Sequence, residues 1–211
     1  MAEAILSSPA PWVRTVGRVS YRFRQHLQIV LLAVCLLLAR PLGSSRADLL
    51  LLMISALLVI VGGSLRSWAM GYHTWRRQHG GRPERTLVTA GPYAHTRNPL
   101  YLGSFLIGCG LAAMSGWLSV FIGFAVLFIA SHYCIIRWEE GRLTEEFGAG
   151  FLAYVAEVPR LFPGLRSSAR RTGSFSLPIM MRCLEPMKTA GALLVILLMA
   201  YFRSRGWSLA A

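Results

Sequence analysis

The chain has 211 residues, of which 55% are hydrophobic and only 15% charged. Soluble domains carry roughly a quarter charged residues, so a chain of this composition presents much of its surface to something other than water. The net charge of +13 comes from 21 Arg and one Lys, Lys188. A nucleic-acid binder is excluded because the Arg lie between long apolar runs, where positive charge orients helices and meets anionic headgroups.

A membrane-crossing helix needs about 20 predominantly apolar residues. The first apolar stretch covers residues 26–39 and is bounded by Arg40 and Pro41, with Tyr21 to Gln25 extending it toward the headgroups. The second, 49–70, is interrupted only by Gly62-Gly63-Ser64 and Arg66. The third and fourth, 100–114 and 117–136, are joined at Ser115-Gly116 as a tight hairpin, and the fifth, 187–202, follows Pro186. The small-residue surfaces at Gly62-Gly63-Ser64 and around Gly108 and Gly110 read as sites of close helix packing. The expected fold class is all-α: a polytopic integral membrane bundle of about five transmembrane helices.

Loop charge orients this bundle. The N-terminal segment holds Arg14, Arg18, Arg22 and Arg24; the loop after the second span holds Arg76, Arg77, Arg82, Arg85 and Arg97. The segment between the fourth and fifth spans holds Arg137, Arg142, Arg160, Arg166, Arg170, Arg171 and Arg182, whereas the remaining loops carry only Arg40 and Arg46. Positive charge alternates as the positive-inside rule requires, which places the N-terminus in the cytoplasm and the end with Arg203 and Arg205 outside. Trp68, Trp75, Trp117, Trp138 and Trp207 fall at the interfaces, where amphipathic rings anchor. The first 26 residues lack a signal-peptide pattern, so no cleaved leader is expected. Cys35, Cys109, Cys134 and Cys183 form no CxxC or Cys/His spacing and read as small apolar packing residues rather than metal ligands or disulfides.

Two stretches on the cytoplasmic side are too specific for plain loop. In the first, Leu87 to Gly103, Gly91-Pro92 is a turn, Pro99 suits the first turn of a helix, and Asn98 takes the N-cap position. Those roles leave Tyr93, His95, Arg97 and Tyr101 gathered at the same helix mouth without explanation. Backbone N–H groups and the positive dipole end suit an anionic group there, and Arg97 offers it a bidentate partner. In the second stretch, five of the nine acidic residues fall between Glu139 and Glu157. Pairing of Glu139 with Arg142 on a solvated face is the plain alternative. Glu139 and Glu140 nevertheless continue the fourth span directly, where a carboxylate is costly unless it meets a cation or a wet cavity.

The run Leu87-Val88-Thr89, Gly91-Pro92-Tyr93 and Arg97-Asn98-Pro99-Leu100-Tyr101-Leu102-Gly103, then Glu139-Glu140, Leu143, Phe147-Gly148, Tyr154, Val158-Pro159-Arg160 and Pro163, resembles the isoprenylcysteine carboxyl methyltransferase and phospholipid methyltransferase families. The resemblance covers residues 65–164 as a methyltransferase core, with membrane helices in 1–64 and an interfacial linker and last helix in 165–211. It implies S-adenosylmethionine as cofactor in a cytoplasmic pocket. Leu87, Val88 and Tyr93 would line that pocket, Arg97, Asn98 and Tyr101 would shape its helix mouth, and Glu139 and Glu140 would complete it. Arg160 is expected on the substrate side or in a structural role, with no metal. Many members have His where this chain has Asn98, and Asn cannot titrate near neutrality. The implied partners are membrane lipids and an amphiphilic or prenylated substrate, in the inner membrane of a bacterium or the endoplasmic reticulum of a eukaryote. An NADPH-dependent reductase resembling the steroid-reductase group shares an Arg-x-Pro-x-Tyr turn and is the alternative, and a non-catalytic scaffold is a third. The basic segment 165–185 reads as an interfacial linker or as a cover over the substrate opening.

Overall fold

The computed structural model describes residues 10–37, 45–72, 77–79, 82–84, 86–164 and 172–206. Seven α-helices appear there: α1 (Pro11–Leu37), α2 (Arg46–Tyr72), α3 (Pro99–Ala113), α4 (Leu118–Phe147), α5 (Ala149–Glu157), α6 (Leu177–Arg182) and α7 (Glu185–Ser204). Between α2 and α3 lie a small antiparallel pair, β1 (Arg77–His79) and β2 (Arg82–Glu84), and a 3-10 turn at Gly91–Ala94.

Three helices, α2, α4 and α7, are long and apolar enough to cross a membrane, and α3 is a shorter apolar helix. The bundle expected from sequence is thus present, but the expected five spans are unequal. α1 starts well before residue 26, and its N-terminal half is amphipathic rather than uniformly apolar. Val13 and Gly17 are buried, Trp12, Val16, Val19 and Phe23 are exposed on a second face, and Arg14, Arg18 and Arg22 are exposed on a third. α1 still runs the depth of the bundle antiparallel to α4, because Gly17 abuts Cys134 and Trp138 near one end and Cys35 packs with Phe124 and Phe128 toward the other. Trp75 and Trp207 lie outside the described residues; Trp68 and Trp117 are exposed, while Trp138 is half-buried against Tyr21 with ring centroids 5.1 Å apart.

Local chemistry sets the helix ends. At α2, the Ser45 hydroxyl accepts from the Asp48 N–H at 3.2 Å and donates to the Asp48 carboxylate at 2.7 Å, a reciprocal cap. The α3–α4 hairpin turns at Gly116, whose φ of +76° a side chain would strain. α4 does not stop at residue 136 but continues as one helix to Phe147, carrying Glu139 and Glu140 out of the apolar span on a rigid support.

Glycines bring the helices together. A Cβ on Gly62 of α2 would strike the Gly103 carbonyl of α3, and one on Gly103 would strike the Gly62 carbonyl. Gly110 lies against the Ser55 carbonyl, Gly63 against Thr189 of α7, and Gly108 against the Phe124 ring of α4. Without a hydrophobic driving force between helices in lipid, such close backbone approach supplies the attraction. The last helix is fixed by charge as well. Arg66 donates from Nε and Nη2 to Glu185 at 2.9 and 3.0 Å, and from Nη1 to the Leu100 carbonyl and the Ser104 hydroxyl. At the opposite end of α7, buried Arg203 donates to the Met114 carbonyl.

Candidate functional site

The two motif stretches meet at one end of the bundle, where α2 ends, α3 begins and α4 projects. They are joined along their backbones. Arg97 N–H donates to the Pro159 carbonyl at 3.0 Å, and Gly164 N–H donates to the His95 carbonyl at 2.9 Å. Buried Thr96 donates its hydroxyl to the Leu161 carbonyl at 2.9 Å, and Asn98 Nδ2 donates to the Arg160 carbonyl at 2.8 Å. Asn98 therefore sits at the N-cap position of α3 as expected, yet its side chain makes no cap bond. It is spent on holding the second stretch.

Glu140 is the centre of the junction. Its side chain is only 9% exposed, and Arg160 grips it with Nε and Nη2 at 3.0 and 2.9 Å. Arg97 Nη1 lies 3.0 Å from the Glu140 Oε1, and Arg137 Nη1 lies 3.9 Å from Oε2. The Arg97 side chain is 7% exposed; its Nε has no acceptor, and Nη1 meets the Glu140 oxygen as an ion pair without an aligned hydrogen bond. Burial pulls the Arg97 pKa down, while the Glu140 carboxylate opposes that shift. The bidentate partner for an outside anion that the sequence suggests is thus already paired by one contact to Glu140, with donor capacity left over. Arg160, whose role the sequence leaves open, has its guanidinium on Glu140 as well.

Glu139, one residue earlier on α4, points elsewhere. It accepts from the Tyr101 hydroxyl at 2.8 Å, and Tyr101 in turn lies edge-on to His132 at 5.2 Å between ring centroids. Arg142, the partner in the plain alternative for Glu139, has its guanidinium 5.2 Å from the Trp138 ring centroid. Tyr93 sits in the 3-10 turn, its carbonyl accepting from the Tyr154 hydroxyl at 2.6 Å. Burial raises the pKa of both phenols well above the ordinary value. For Tyr93 the nearby Tyr154 and Glu139 add to the rise, whereas for Tyr154 the Arg97 charge works against it. Tyr93, Tyr154, Glu139 and Arg97 therefore share one electrostatic environment.

Leu87 and Val88 are placed apart from each other. Leu87 packs on the apolar cluster of Phe151, Tyr154, Val155 and Val158 that seats α5. Val88 faces the other way, toward Gly173. Arg97, Asn98, Glu140 and Arg160 thus form one interlocked group, Tyr101 with Glu139 an adjacent pair, and Leu87 and Val88 two walls. Sequence reasoning missed Thr96, Arg137 and His132 as site neighbours. Thr96 and Arg137 carry no signal beyond lying beside motif residues, while His132 is a visible signal, the one imidazole in the fourth apolar span, which holds no charged residue.

The phospholipid methyltransferase family matches residues 47–150, from the start of α2 to the beginning of α5. The chain is 39% identical over 85 residues to the cobalt-zinc-cadmium resistance protein CzcN of Cupriavidus metallidurans, a stretch that is 40% of this chain and 39% of that protein. It is 35% identical over 85 residues to the nickel-cobalt-cadmium resistance protein NccN of Alcaligenes xylosoxydans xylosoxydans, with the same shares of 40% and 39%. The chain spans about two-fifths of the length of these curated relatives. No solved structure matches it. With its apolar helices and its two motif stretches locked together, this is an integral membrane protein that matches the phospholipid methyltransferase family over residues 47–150.

Proposed function

We propose that the protein is an S-adenosylmethionine-dependent methyltransferase acting on a lipid-like or prenylated acceptor at the cytoplasmic membrane interface. The observation that carries this reading is the Glu140 junction. It ties Arg97 of the family-matched stretch and Arg160 of the loop after α5 to one carboxylate, next to the Tyr101–Glu139 pair on the same helix.

The residues present fit the methyl donor. Arg97 keeps buried N–H capacity with no acceptor, which suits the donor's carboxylate. Glu139 suits its ammonium, and the rings of Tyr93 and Tyr101 suit a sulfonium. Leu87 and Val88 supply apolar walls, while Asn98, Glu140 and Arg160 hold the helix mouth in shape. When bound, the donor supplies an activated methyl group for in-line displacement. The chain's own task is then alignment and exclusion of water more than proton relay. The acceptor headgroup would meet the donor at this helix mouth, and the acceptor's tail would stay in the bilayer.

Calorimetry of the purified protein in detergent tests the reading. S-adenosylhomocysteine binding with no NADPH binding is the expected result. NADPH binding without the donor product would replace the reading by the membrane-reductase alternative, and binding of neither would leave a scaffold.

A further inference from the structure

The Leu87–Tyr93 stretch forms no helix or strand before its 3-10 turn, so something else must hold it. A strap from the other side of the chain does. Thr89 and Ala90, both buried, donate their N–H groups to the Thr172 carbonyl at 2.9 and 3.1 Å. Thr172 N–H donates back to the Thr89 hydroxyl at 3.0 Å, which makes the contact reciprocal. Gly173, at a φ of +111°, passes over Val88.

The far end of the strap is fastened to α2. Ser176 N–H donates to the Gly71 carbonyl at 2.7 Å. The Phe175 ring covers Gly71, where a Cβ would collide with it, and meets Tyr72 edge-on with centroids 5.8 Å apart. Tyr72 in turn backs Gly91, which at a φ of +62° opens the 3-10 turn carrying Tyr93. Residues 172–176 thus brace the loop at two points, through Thr89 and Ala90 directly and through Tyr72 on Gly91. This brace lies beyond residues 47–150, outside the part of the chain matched by the family.

We propose that the strap 172–176 positions the methyl-donor loop, with Thr89 and Phe175 as its positioning residues. The proposal rests on the methyltransferase reading above. The Thr89 hydroxyl and the Phe175 ring touch no reacting atom; they fix where Val88 and Tyr93 stand, and so they set donor affinity rather than fold stability.

The test is S-adenosylhomocysteine calorimetry and thermal unfolding on the full chain in detergent. Thr89→Val keeps the shape but removes the hydroxyl, and is expected to weaken binding roughly fivefold to tenfold while the melting temperature falls by no more than the loss of one hydrogen bond explains. Thr89→Ser keeps the hydroxyl and is expected to bind like the parent. Phe175→Ala is expected to weaken binding comparably, and Phe175→Tyr to restore it. Parent-like affinity in both Thr89→Val and Phe175→Ala overturns the proposal. So does a Thr89→Ser variant as weak as Thr89→Val, or affinity loss that only follows a fall in melting temperature. Failure of the parent protein to bind S-adenosylhomocysteine overturns the methyltransferase reading itself, and the strap's role with it.

Discussion

Arg160 lays two nitrogens on the two oxygens of Glu140, at 3.0 and 2.9 Å, so that one carboxylate on α4 holds the loop that follows α5. The same carboxylate answers Arg97, whose side chain is 7% exposed. Removing one partner from a buried ion pair costs about 3–5 kcal/mol, because the charge left behind stays desolvated. Glu140→Gln should therefore lower the melting temperature and also weaken S-adenosylhomocysteine binding by more than roughly tenfold. Arg160→Ala, at a site 30% exposed, should do less of both. A Glu140→Gln protein that melts like the parent would show that the junction does not hold the two stretches together.

Asn98 offers a finer test. Its Nδ2 donates to the Arg160 carbonyl at 2.8 Å, and an imidazole N–H can make the same bond. Asn98→His should therefore keep parent-like stability. Asn98→Leu, which leaves the carbonyl without that donor, should lose about 1 kcal/mol. Equal melting temperatures for the two variants would mean that the bond contributes nothing.

These sites show how far the sequence reaches. The apolar runs and alternating Arg give the spans, because lipid imposes length and charge rules that leave few alternatives. Gly62 and Gly110 are legible for the same reason, since close packing in a membrane favours small residues. The motif residues Arg97, Glu140 and Arg160 could be named but not paired. Which cation meets which carboxylate depends on how α4 and the loop after α5 fold together, across intervals of 20 and 43 residues with no periodic signal (Arg160 to Glu140, and Glu140 to Arg97). The continuation of α4 is legible as far as Glu139 and Glu140, which follow the fourth span directly, whereas its run on to Phe147 is obscured by Gly141 and Thr144, both weak helix formers. The strap at Thr172 is invisible in sequence because its carbonyl takes two backbone N–H groups and its N–H meets the Thr89 hydroxyl across 83 residues, with no pattern linking the two.

The buried phenols predict an alkaline transition. Tyr93 and Tyr154 have folded-state pKa values raised above the ordinary phenol value, chiefly by burial. A group whose pKa is raised by folding contributes stability that is complete below the unfolded pKa, near 10, and is lost as pH climbs toward the folded value. Stability should thus be insensitive to these groups below about pH 9 and fall above about pH 10, by up to about 1.4 kcal/mol per pH unit for each phenol. Tyr154→Phe should make that alkaline slope shallower, while also losing the bond to the Tyr93 carbonyl at neutral pH. An unchanged slope would mean that Tyr154 ionises equally in the folded and unfolded chain.

The Arg66–Glu185 pair tests whether α7 is anchored by charge or by packing. Glu185 is 1% exposed and accepts from Arg66 through both oxygens, with Lys188 at 2.9 Å as a further donor. Arg66 also serves the Leu100 carbonyl, so it ties α7 and α2 to the start of α3. Glu185→Leu alone strands Arg66 and should lower stability by about 3–5 kcal/mol. Arg66→Met with Glu185→Leu replaces the pair by apolar groups of similar volume and should recover most of that loss, because the desolvation cost disappears with the charges. Lys188, more than half exposed, can turn to water in either variant. A double variant as unstable as the single one would locate the anchor in the hydrogen bonds to Leu100 and Ser104 rather than in the ion pair. Since Leu100 follows Asn98 and Pro99 at the helix mouth, that outcome would also predict a parallel loss of donor affinity in the double variant, whereas an ion-pair anchor predicts that affinity returns with stability.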